Sequence, residues 1–359
     1  MRLFAAVLAG GSGTRFWPAS TRDVPKQMLP LGGGAPLLRE AVDRLAGLVP
    51  PERTVIVTAA RSAAATAALL PELGAQHVVG EPRARNTAAA CAVAAHWVRA
   101  RDPEGVLVVL PADHVVRPAE ELRAALAAAA ARAATSDRLL TLGLRPAFAA
   151  TGYGWIETGD ETARPDGRPV VRVVRFTEKP DRERAEAFLA GGRHLWNLGM
   201  FAWRADAFLD ELAHRLSGVA GPCAPLTEAF RAGDAGPALV AAFDACEAIS
   251  VDHGVLEHSE RVECLPCSFT WDDLGSFPAL LRHLAADSSG NVAVGDLVSE
   301  ESSGCIAWNA DGGLTALLGV RDLVVVHAGG VTLVAPVARA EEIKRLVAET
   351  ERRGLGRFL

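Results

Sequence analysis

The sequence predicts an α/β fold of three layers, in which helices cover both faces of a mostly parallel sheet. Three observations predict it. Short apolar runs alternate with helix-period segments through the first half of the chain, which is the pattern of parallel strands joined by helical crossovers. Half of the 359 residues are apolar and 22% are charged, so a core large enough for a sheet buried on both faces is available. A glycine-rich turn also closes the first apolar run, and ligands of such sheets sit beyond the C-terminal ends of the strands.

Taken in order, Leu3–Leu8, Thr54–Thr58, His77–Gly80, Val106–Leu110 and Arg138–Leu142 read as short buried strands. Between them Pro36–Leu48, Arg61–Leu70, Thr87–Arg101 and Ala119–Ala134 carry helical periodicity. Asn86 or Thr87 is suited to cap the third of these helices. From about Thr151 the pattern changes to glycine-punctuated strands, Thr151–Ile156, Val170–Phe176 and Trp196–Met200, followed by helices at Arg204–Arg215, Leu226–Arg231 and Ala235–Cys246. After Leu284 the run Asp287-Ser-Ser-Gly-Asn291 reads as a linker. Short strands then follow at Val292–Val298, Cys305–Trp308, Thr315–Leu318, Asp322–Val326 and Val331–Ala335, and a helix at Arg339–Arg352. Two domains are expected, 1–284 and 285–359, the first made of halves at about 1–145 and 146–284.

The net charge of −6 leaves no basic footprint for nucleic acid. A small-molecule partner is expected instead. No apolar run reaches membrane-spanning length, and Met1-Arg2-Leu3-Phe4 enters the first strand without a cleavable signal, so a cytoplasmic protein without membrane contact is expected. Six cysteines are scattered at 91, 223, 246, 264, 267 and 305. Only Cys264-Leu-Pro-Cys267 has a suggestive spacing, and apart from His258 nothing near it completes a zinc set, so reduced structural thiols are expected.

The stretch from Leu8 to Leu31, LAGGSGTRFWPASTRDVPKQMLPL, concentrates the chemistry. Gly10, Gly11 and Gly13 strip side chains from the turn, so backbone N–H groups can approach a phosphate. Arg15 and Lys26 follow on a loop stiffened by Pro18 and Pro25. Two fixed cations over a nest of amides suit a triphosphate, whose charge redistributes during phosphoryl transfer. A dinucleotide fingerprint needs glycine where Phe16 stands, and a P-loop needs a Gly-Lys-Ser/Thr that is absent.

The pattern Gly-Gly-x-Gly-Thr-Arg, then Pro, then Pro-Lys, resembles the signature of the sugar-1-phosphate nucleotidylyltransferases. With Phe16-Trp17-Pro18 and Pro25-Lys26-Gln27 the wording is similar to the branch of mannose-1-phosphate guanylyltransferases, or GDP-mannose pyrophosphorylases. The resemblance implies a Rossmann-like nucleotidyltransferase fold followed by a small left-handed β-helix-like domain. It implies that Arg15 and Lys26 are catalytic and that Leu8, Ala9, Gly10, Gly11, Gly13 and Thr14 bind nucleotide. Glu81 to Ala88 matches the branch marker Glu-Pro-x-x-Arg-Asn-Thr-Ala, which adds Glu81, Arg85, Asn86 and Thr87 to the nucleotide set. The chemistry agrees for Glu81, because one carboxylate can accept both N1–H and N2–H of guanine. Ala89 departs from the proline usual there.

Leu110-Pro-Ala-Asp-His114 matches a family motif whose aspartate holds magnesium, so Asp113 is implied as one Mg²⁺ ligand. Trp271-Asp-Asp-Leu-Gly275 matches Trp-x-Asp-x-Gly, which makes Asp273 the second ligand and Asp272 the variable position. A cap for the segment after Gly275 is the plain structural reading of the same aspartates. Gly154, Glu178, Lys179 and Asn197 are implied as the sugar-phosphate subsite: glycine and polar groups for hydroxyls, an ammonium for the phosphate. Ile249 to Glu257 resembles the family's Ser-Ile-Asp-Tyr-x-Val-Met-Glu segment and retains Asp252 and Glu257. His253 replaces the usual aromatic there and is given no role.

The implied reaction is GTP plus α-D-mannose 1-phosphate giving GDP-mannose and diphosphate, in a homodimer, with the tail structural or dimer-forming. The chain stops before the isomerase domain of bifunctional relatives, so no isomerase activity is expected. Transfer to glucose 1-phosphate, with GTP or UTP, and a non-catalytic nucleotide-sugar-binding regulator are the alternatives. Retention of Arg15, Lys26, Asp113 and Asp273 weighs against the second.

Overall fold

The structure, a computed structural model, describes residues 2–11 and 13–359. Met1, with which the expected signal-free start begins, lies outside them. The strands of the first part are β1 (Leu3–Ala9), β2 (Thr54–Ala59), β3 (Val78–Glu81), β4 (Val106–Pro111), β5 (Val115–Arg117) and β6 (Leu139–Leu144). Then come β7 (Gly154–Ala163), β8 (Val170–Glu178), β9 (His194–Arg204), β10 (Val262–Cys267) and β11 (Thr270–Asp272). The tail holds β12 (Val292–Val294), β13 (Asp296–Glu300), β14 (Ile306–Asn309), β15 (Leu314–Leu318), β16 (Leu323–Ala328) and β17 (Val331–Pro336).

Two compact units divide the chain. The first comprises 1–10, 42–111 and 117–270, and the second 11–41, 112–116 and 271–359. The loop 11–41 therefore belongs to the same unit as the tail, although in sequence it lies within 1–284.

In the first unit a nine-stranded sheet runs in the order β3-β2-β1-β4-β9-β6-β10-β8-β7, and β7 also pairs with β9. β3, β2, β1 and β4 are mutually parallel, as expected. Beyond β4 the sheet is mixed: β9 runs antiparallel to both β4 and β6, and β10 is parallel to β6 but antiparallel to β8. Only the first half has helical crossovers between neighbouring strands, so only there is parallel pairing dictated. Helix Asn86–Arg99 is buried along one continuous run, Ala88 to Val98. Its six alanines between Ala88 and Ala95 let it sit deep against the sheet without the bulk of larger side chains. Trp97 meets Phe4 of β1 edge to face at 6.1 Å, a pairing worth about 0.5–1.5 kcal/mol beyond the area buried.

In the second unit, successive turns of chain stack strand on parallel strand, Val292 opposite Ile306 and Ile306 opposite Val324 in one sheet, Asp296 opposite Leu314 in another. That repetition is the β-helix-like coil expected of the tail. Phe16, Leu29, Phe277, Trp308 and Val326 share one core, with Phe16 and Phe277 ring centroids 4.9 Å apart. Trp17 Nε1 donates to the carbonyl of Phe358 at 2.7 Å. These contacts explain why the loop belongs with the tail. The expected linker is a built turn: Asp287 accepts from the N–H groups of Ser289 and Asn291, and buried Asn291 accepts from Cys305 N–H at 2.9 Å. The expected C-terminal helix begins as a 3₁₀ segment, Val337–Glu342, and becomes α-helical at Ile343–Arg352.

Candidate active site

In the first unit β1 lies between β2 and β4 and carries Leu8 and Ala9 at its C-terminal end, with Gly10 next. Thr58 Oγ1 donates to the Ala9 carbonyl at 3.1 Å and fixes this lip. Two strands away β3 ends on Glu81. A Cβ on Gly10 would stand 2.7 Å from Glu81 Oε2, so the missing side chain at Gly10 is what admits the carboxylate. Glu81 is buried, and burial pushes its pKa up to about 7.

The following turn departs from the capping expectation. Asn86 adopts the left-handed region, φ 64°, and its Oδ1 accepts from the N–H of Thr87 at 2.8 Å. Thr87 Oγ1 accepts from Val251 N–H at 2.9 Å, and Ala88 N–H donates to the Ile249 carbonyl at 3.2 Å. The helix start is thus closed largely by the stretch 249–251. Arg85 donates from Nε to the Phe243 carbonyl at 2.6 Å and from a terminal nitrogen to that of Asp244 at 3.2 Å. Its guanidinium closes the C-terminal end of helix Gly236–Ala245. Of the four residues expected from this motif, Glu81 faces Gly10 and Arg85 faces a helix end.

The sugar-phosphate candidates come together by register. Gly154 on β7 lies opposite Glu178 on β8 and Asn197 on β9. A Cβ on Gly154 would come within 2.6 Å of Glu178 Oε2 and 3.2 Å of Asn197 Cβ, so the missing side chain is what lets these two approach the strand so closely. Lys179, at φ 47°, donates from Nζ to Glu178 Oε1 at 2.7 Å and is exposed. Asn197 is buried; its Oδ1 accepts from Thr141 Oγ1 at 2.7 Å and from Gly199 N–H at 3.3 Å. Asp252 Oδ1 accepts from Asn197 Nδ2 at 2.9 Å, and Glu257 Oε1 accepts from Glu178 N–H at 3.1 Å. Both carboxylates stand in the segment from Ile249 to Glu257, whose wording alone gives neither of them a task. Burial, aided by the Glu178 charge and opposed by the Asn197 hydrogen bond, lifts the Asp252 pKa to about 6.

In the second unit the loop coils around Gly13, whose carbonyl accepts from Phe16 N–H at 2.9 Å and Ser20 Oγ at 2.5 Å. Gly13 has φ 60°, and a Cβ there would collide with Cβ of Lys26, so glycine serves both conformation and contact. Lys26 is buried and opens a 3₁₀ turn, Lys26–Met28. Its Nζ donates to Asp113 Oδ2 at 2.8 Å and to the Asp273 carbonyl at 2.6 Å. Leu274, at φ 46°, makes the bend beside that carbonyl. Arg15 donates from its guanidinium to the Gly275 carbonyl at 3.1 Å.

Burial acts to raise the Asp113 pKa, but the charges of Lys26 and His114 and the Lys26 hydrogen bond outweigh it and hold the carboxyl below its usual range. His114, the last residue of this motif, also has a place: Trp271 Nε1 meets its Nδ1 at 3.1 Å, and its Nε2 stands 3.8 Å from Asp113 Oδ1. Gly13, Thr14, Arg15, Lys26, Asp113 and Asp273 all line one cavity of about 300 Å³.

Two carboxylates on that cavity fit a hard divalent cation, which takes one or two protein carboxylates and completes its shell with phosphate and water. Among the described residues no group of three or more His, Cys, Asp or Glu is placed to hold a metal. Asp272 is differently employed. It is buried and accepts from Leu274 N–H at 2.9 Å, Arg282 Nε at 2.7 Å and His283 Nε2 at 2.8 Å. Burial acts to raise its pKa, and these hydrogen bonds overcome it and set the group far below the usual carboxylate range. The 3₁₀ segment Phe277–Arg282 has Ser276, not an aspartate, at its N-cap.

No helix among the described residues is long and apolar enough to cross a membrane. Residues 4–290 match the family described as Nucleotidyl transferase, and residues 295–350 match the MannoseP isomerase/GMP-like beta-helix domain. The chain is 34% identical to the alginate biosynthesis protein AlgA of Pseudomonas aeruginosa, with 98% of this chain and 73% of that one covered. It is also 34% identical to a mannose-1-phosphate guanylyltransferase of Escherichia coli, over 98% of this chain and 74% of the relative. A solved Thermus thermophilus structure, described as a mannose-1-phosphate geranyltransferase, superposes with a TM-score of 0.84 at 34% identity, covering 98% of this chain and all of the other.

Proposed function

We propose that this chain, which belongs to the nucleotidyl transferase family, is an enzyme that transfers the guanylyl group of GTP to α-D-mannose 1-phosphate, giving GDP-mannose and diphosphate. The observation that carries the reading is Lys26: a buried ammonium held between Asp113 and the Asp273 carbonyl, on a cavity that Arg15 also lines. A cation so fixed need not reorganise when phosphate charge arrives, and its burial leaves it little screened by water. The names of the Escherichia coli and Thermus thermophilus relatives support the sugar phosphate as mannose 1-phosphate.

The attacking group in this reading is an oxygen of the sugar phosphate, already ionised near neutral pH because a phosphate monoester has its second pKa at about 6. No general base is needed. The work of the chain is then to position two mutually repelling anions and neutralise them. Amides of Gly11 and Gly13 and the side chains of Arg15 and Lys26 act on the triphosphate, and Lys179 on the sugar phosphate. Glu81 accepts from the guanine edge, and Glu178 and Asn197 read sugar hydroxyls. Asp113 and Asp273 would hold Mg²⁺, which supplies charge neutralisation at the phosphates when bound. The six cysteines, all buried and free, support a reducing, cytoplasmic setting. The exposed row Val298, Leu314 and Leu318 supports a homodimer.

The test is diphosphate release in the presence of Mg²⁺, crossing GTP, ATP, UTP and dTTP with mannose 1-phosphate and glucose 1-phosphate. Release confined to GTP with mannose 1-phosphate is expected. Preference for glucose 1-phosphate would overturn the sugar assignment alone, and silence from folded protein would overturn the enzymatic reading.

A further inference from the structure

One short segment, 249–257, reaches both candidate subsites of the first unit. Its Ile249 carbonyl and Val251 N–H bond to Ala88 N–H and Thr87 Oγ1 at the start of helix Asn86–Arg99. Further along it, Asp252 takes the Asn197 amide, and Glu257 takes Glu178 N–H. Between those two carboxylates the chain is wound as a π-helical turn, Asp252–Leu256, with Glu257 N–H donating to the Asp252 carbonyl at 2.9 Å. Such turns are rare and gather at functional sites.

The hydrogen bonds around Asn197 admit one orientation of its amide. Oδ1 accepts from a hydroxyl and a backbone N–H, and Nδ2 donates to a carboxylate. Flipped, the amide would set its NH₂ against the Gly199 N–H and its oxygen against the Asp252 carboxylate, two repulsive contacts in place of two attractive ones. Thr141 cannot enforce this alone, because a hydroxyl both donates and accepts. Gly199 N–H opposes the flip weakly at 3.3 Å. The charged acceptor Asp252 is the strongest discriminator. The second N–H of Nδ2 has no partner among the described residues, and Gly154 lies opposite both Asn197 and Glu178 in the sheet.

We propose that Asp252 is a positioning residue for the sugar: by accepting one N–H of Asn197 it fixes the amide so that the other N–H is presented to a sugar hydroxyl beside Gly154. This rests on the sugar-phosphate reading of Gly154, Glu178 and Asn197 above. The role requires the ionised carboxylate, since a protonated Asp252 accepts more weakly. Glu178 and Lys179 face it from the end of β8, Asn197 from β9, and the Cys91 thiol from helix Asn86–Arg99; His253 and Glu257 share its own segment. Glu178 raises its pKa and Lys179 lowers it, burial being the larger effect.

The experiment is steady-state kinetics of wild type, Asp252→Asn and Asp252→Ala from pH 5.5 to 8, with thermal melting to establish folding. In Asp252→Asn the KM for mannose 1-phosphate is expected to rise at least tenfold while the KM for GTP stays within twofold. The acid limb of kcat/KM for the sugar phosphate is expected to have a slope of two in wild type, one proton on the substrate phosphate and one on Asp252, and a slope of one in the variant. A folded Asp252→Asn enzyme with the wild-type sugar-phosphate KM and the same acid slope overturns the proposal. Both KM values rising together would mark general loosening and overturn it too. Wild type that turns over no sugar 1-phosphate overturns the sugar reading itself; an active wild type with an unmoved variant overturns only the role of Asp252.

Discussion

Lys26 and Asp113 are 87 residues apart in the chain and meet at 2.8 Å, and the same ammonium reaches the Asp273 carbonyl at 2.6 Å. One cation thus joins the glycine loop to both aspartates expected to serve the metal. Replacing Lys26 by Met keeps the buried stem and removes the charge. Turnover is expected to fall by about 10²–10³, the cost typical of losing one preorganised donor in a charge-stabilising site. Stability provides the control. In wild type the depressed Asp113 pKa contributes stability that is present above the ordinary carboxylate range and lost as pH falls through the folded value. Without Lys26 the largest lowering charge and its hydrogen bond are gone, so the Asp113 pKa rises and that contribution is diminished. Urea titrations should find Lys26→Met losing less stability relative to wild type at pH 3 than at pH 7.

Asp272 and Asp273 are neighbours in different surroundings, one bound by Leu274, Arg282 and His283 and the other on the cavity wall, and substitution should separate them. Asp272→Asn removes the charge that Arg282 and His283 share and is expected to cost about 2 kcal/mol, an estimate kept low because Arg282 is largely exposed. Asp273→Asn is expected to stay within about 1 kcal/mol of wild type, yet to raise the Mg²⁺ concentration for half-maximal activity at least tenfold. Chelation by EDTA should abolish activity in wild type, and added Mg²⁺ should restore it. Equal metal requirements in wild type and Asp273→Asn would remove Asp273 from the metal site.

Adjacent aspartates also show where sequence reading reaches its limit. Local patterns carry local facts: the alternation that marks β1 to β4 and the glycine turn before Arg15 were legible. Facts set by long-range pairing were not. β9 enters the sheet between β4 and β6 out of sequence order, and no periodicity within a strand encodes its neighbour. The partners of Arg85, the Phe243 and Asp244 carbonyls, lie 158 and 159 residues away on a helix end that its motif does not announce. Asp252 is 55 residues from Asn197; only the folded sheet and the docked 249–257 segment bring them together. The loop's membership of the tail unit depends likewise on Phe16 packing against Phe277.

Glu81 links burial to pH dependence. A carboxylate must be ionised to accept from N1–H and N2–H of guanine, and burial pushes the Glu81 pKa up to about 7. Affinity for GTP is therefore expected to rise as pH increases from 6 to 8, and Glu81→Gln should flatten that dependence and narrow the preference for GTP over ATP. The effect on stability has the opposite sense. A pKa raised by folding contributes stability fully present below the unfolded value of 4.5 and lost as pH rises through about 7. The rise from 4.5 to about 7 amounts to about 3 kcal/mol. Denaturation at pH 5 and pH 8 should show wild type losing that advantage over Glu81→Gln. A pH-independent difference would mean that Glu81 titrates normally.

Gly154 offers the most local test of the sugar subsite. Its conformation makes no demand for glycine, since it lies in the regular part of β7 and its φ is not in the left-handed region. Its surroundings make that demand, because a methyl group there meets Glu178 Oε2 at 2.6 Å and Asn197 Cβ at 3.2 Å. Glu178 can swing aside, being the end of a flexible side chain, whereas Asn197 is held by Thr141 and Asp252 and cannot. Gly154→Ala is therefore expected to fold, with at most about 1–2 kcal/mol lost to overpacking, and to push the Glu178 carboxylate out of its place beside Asn197. The KM for mannose 1-phosphate should rise tenfold or more with the KM for GTP unchanged. If both constants match wild type in folded protein, the sugar does not bind between Glu178 and Asn197.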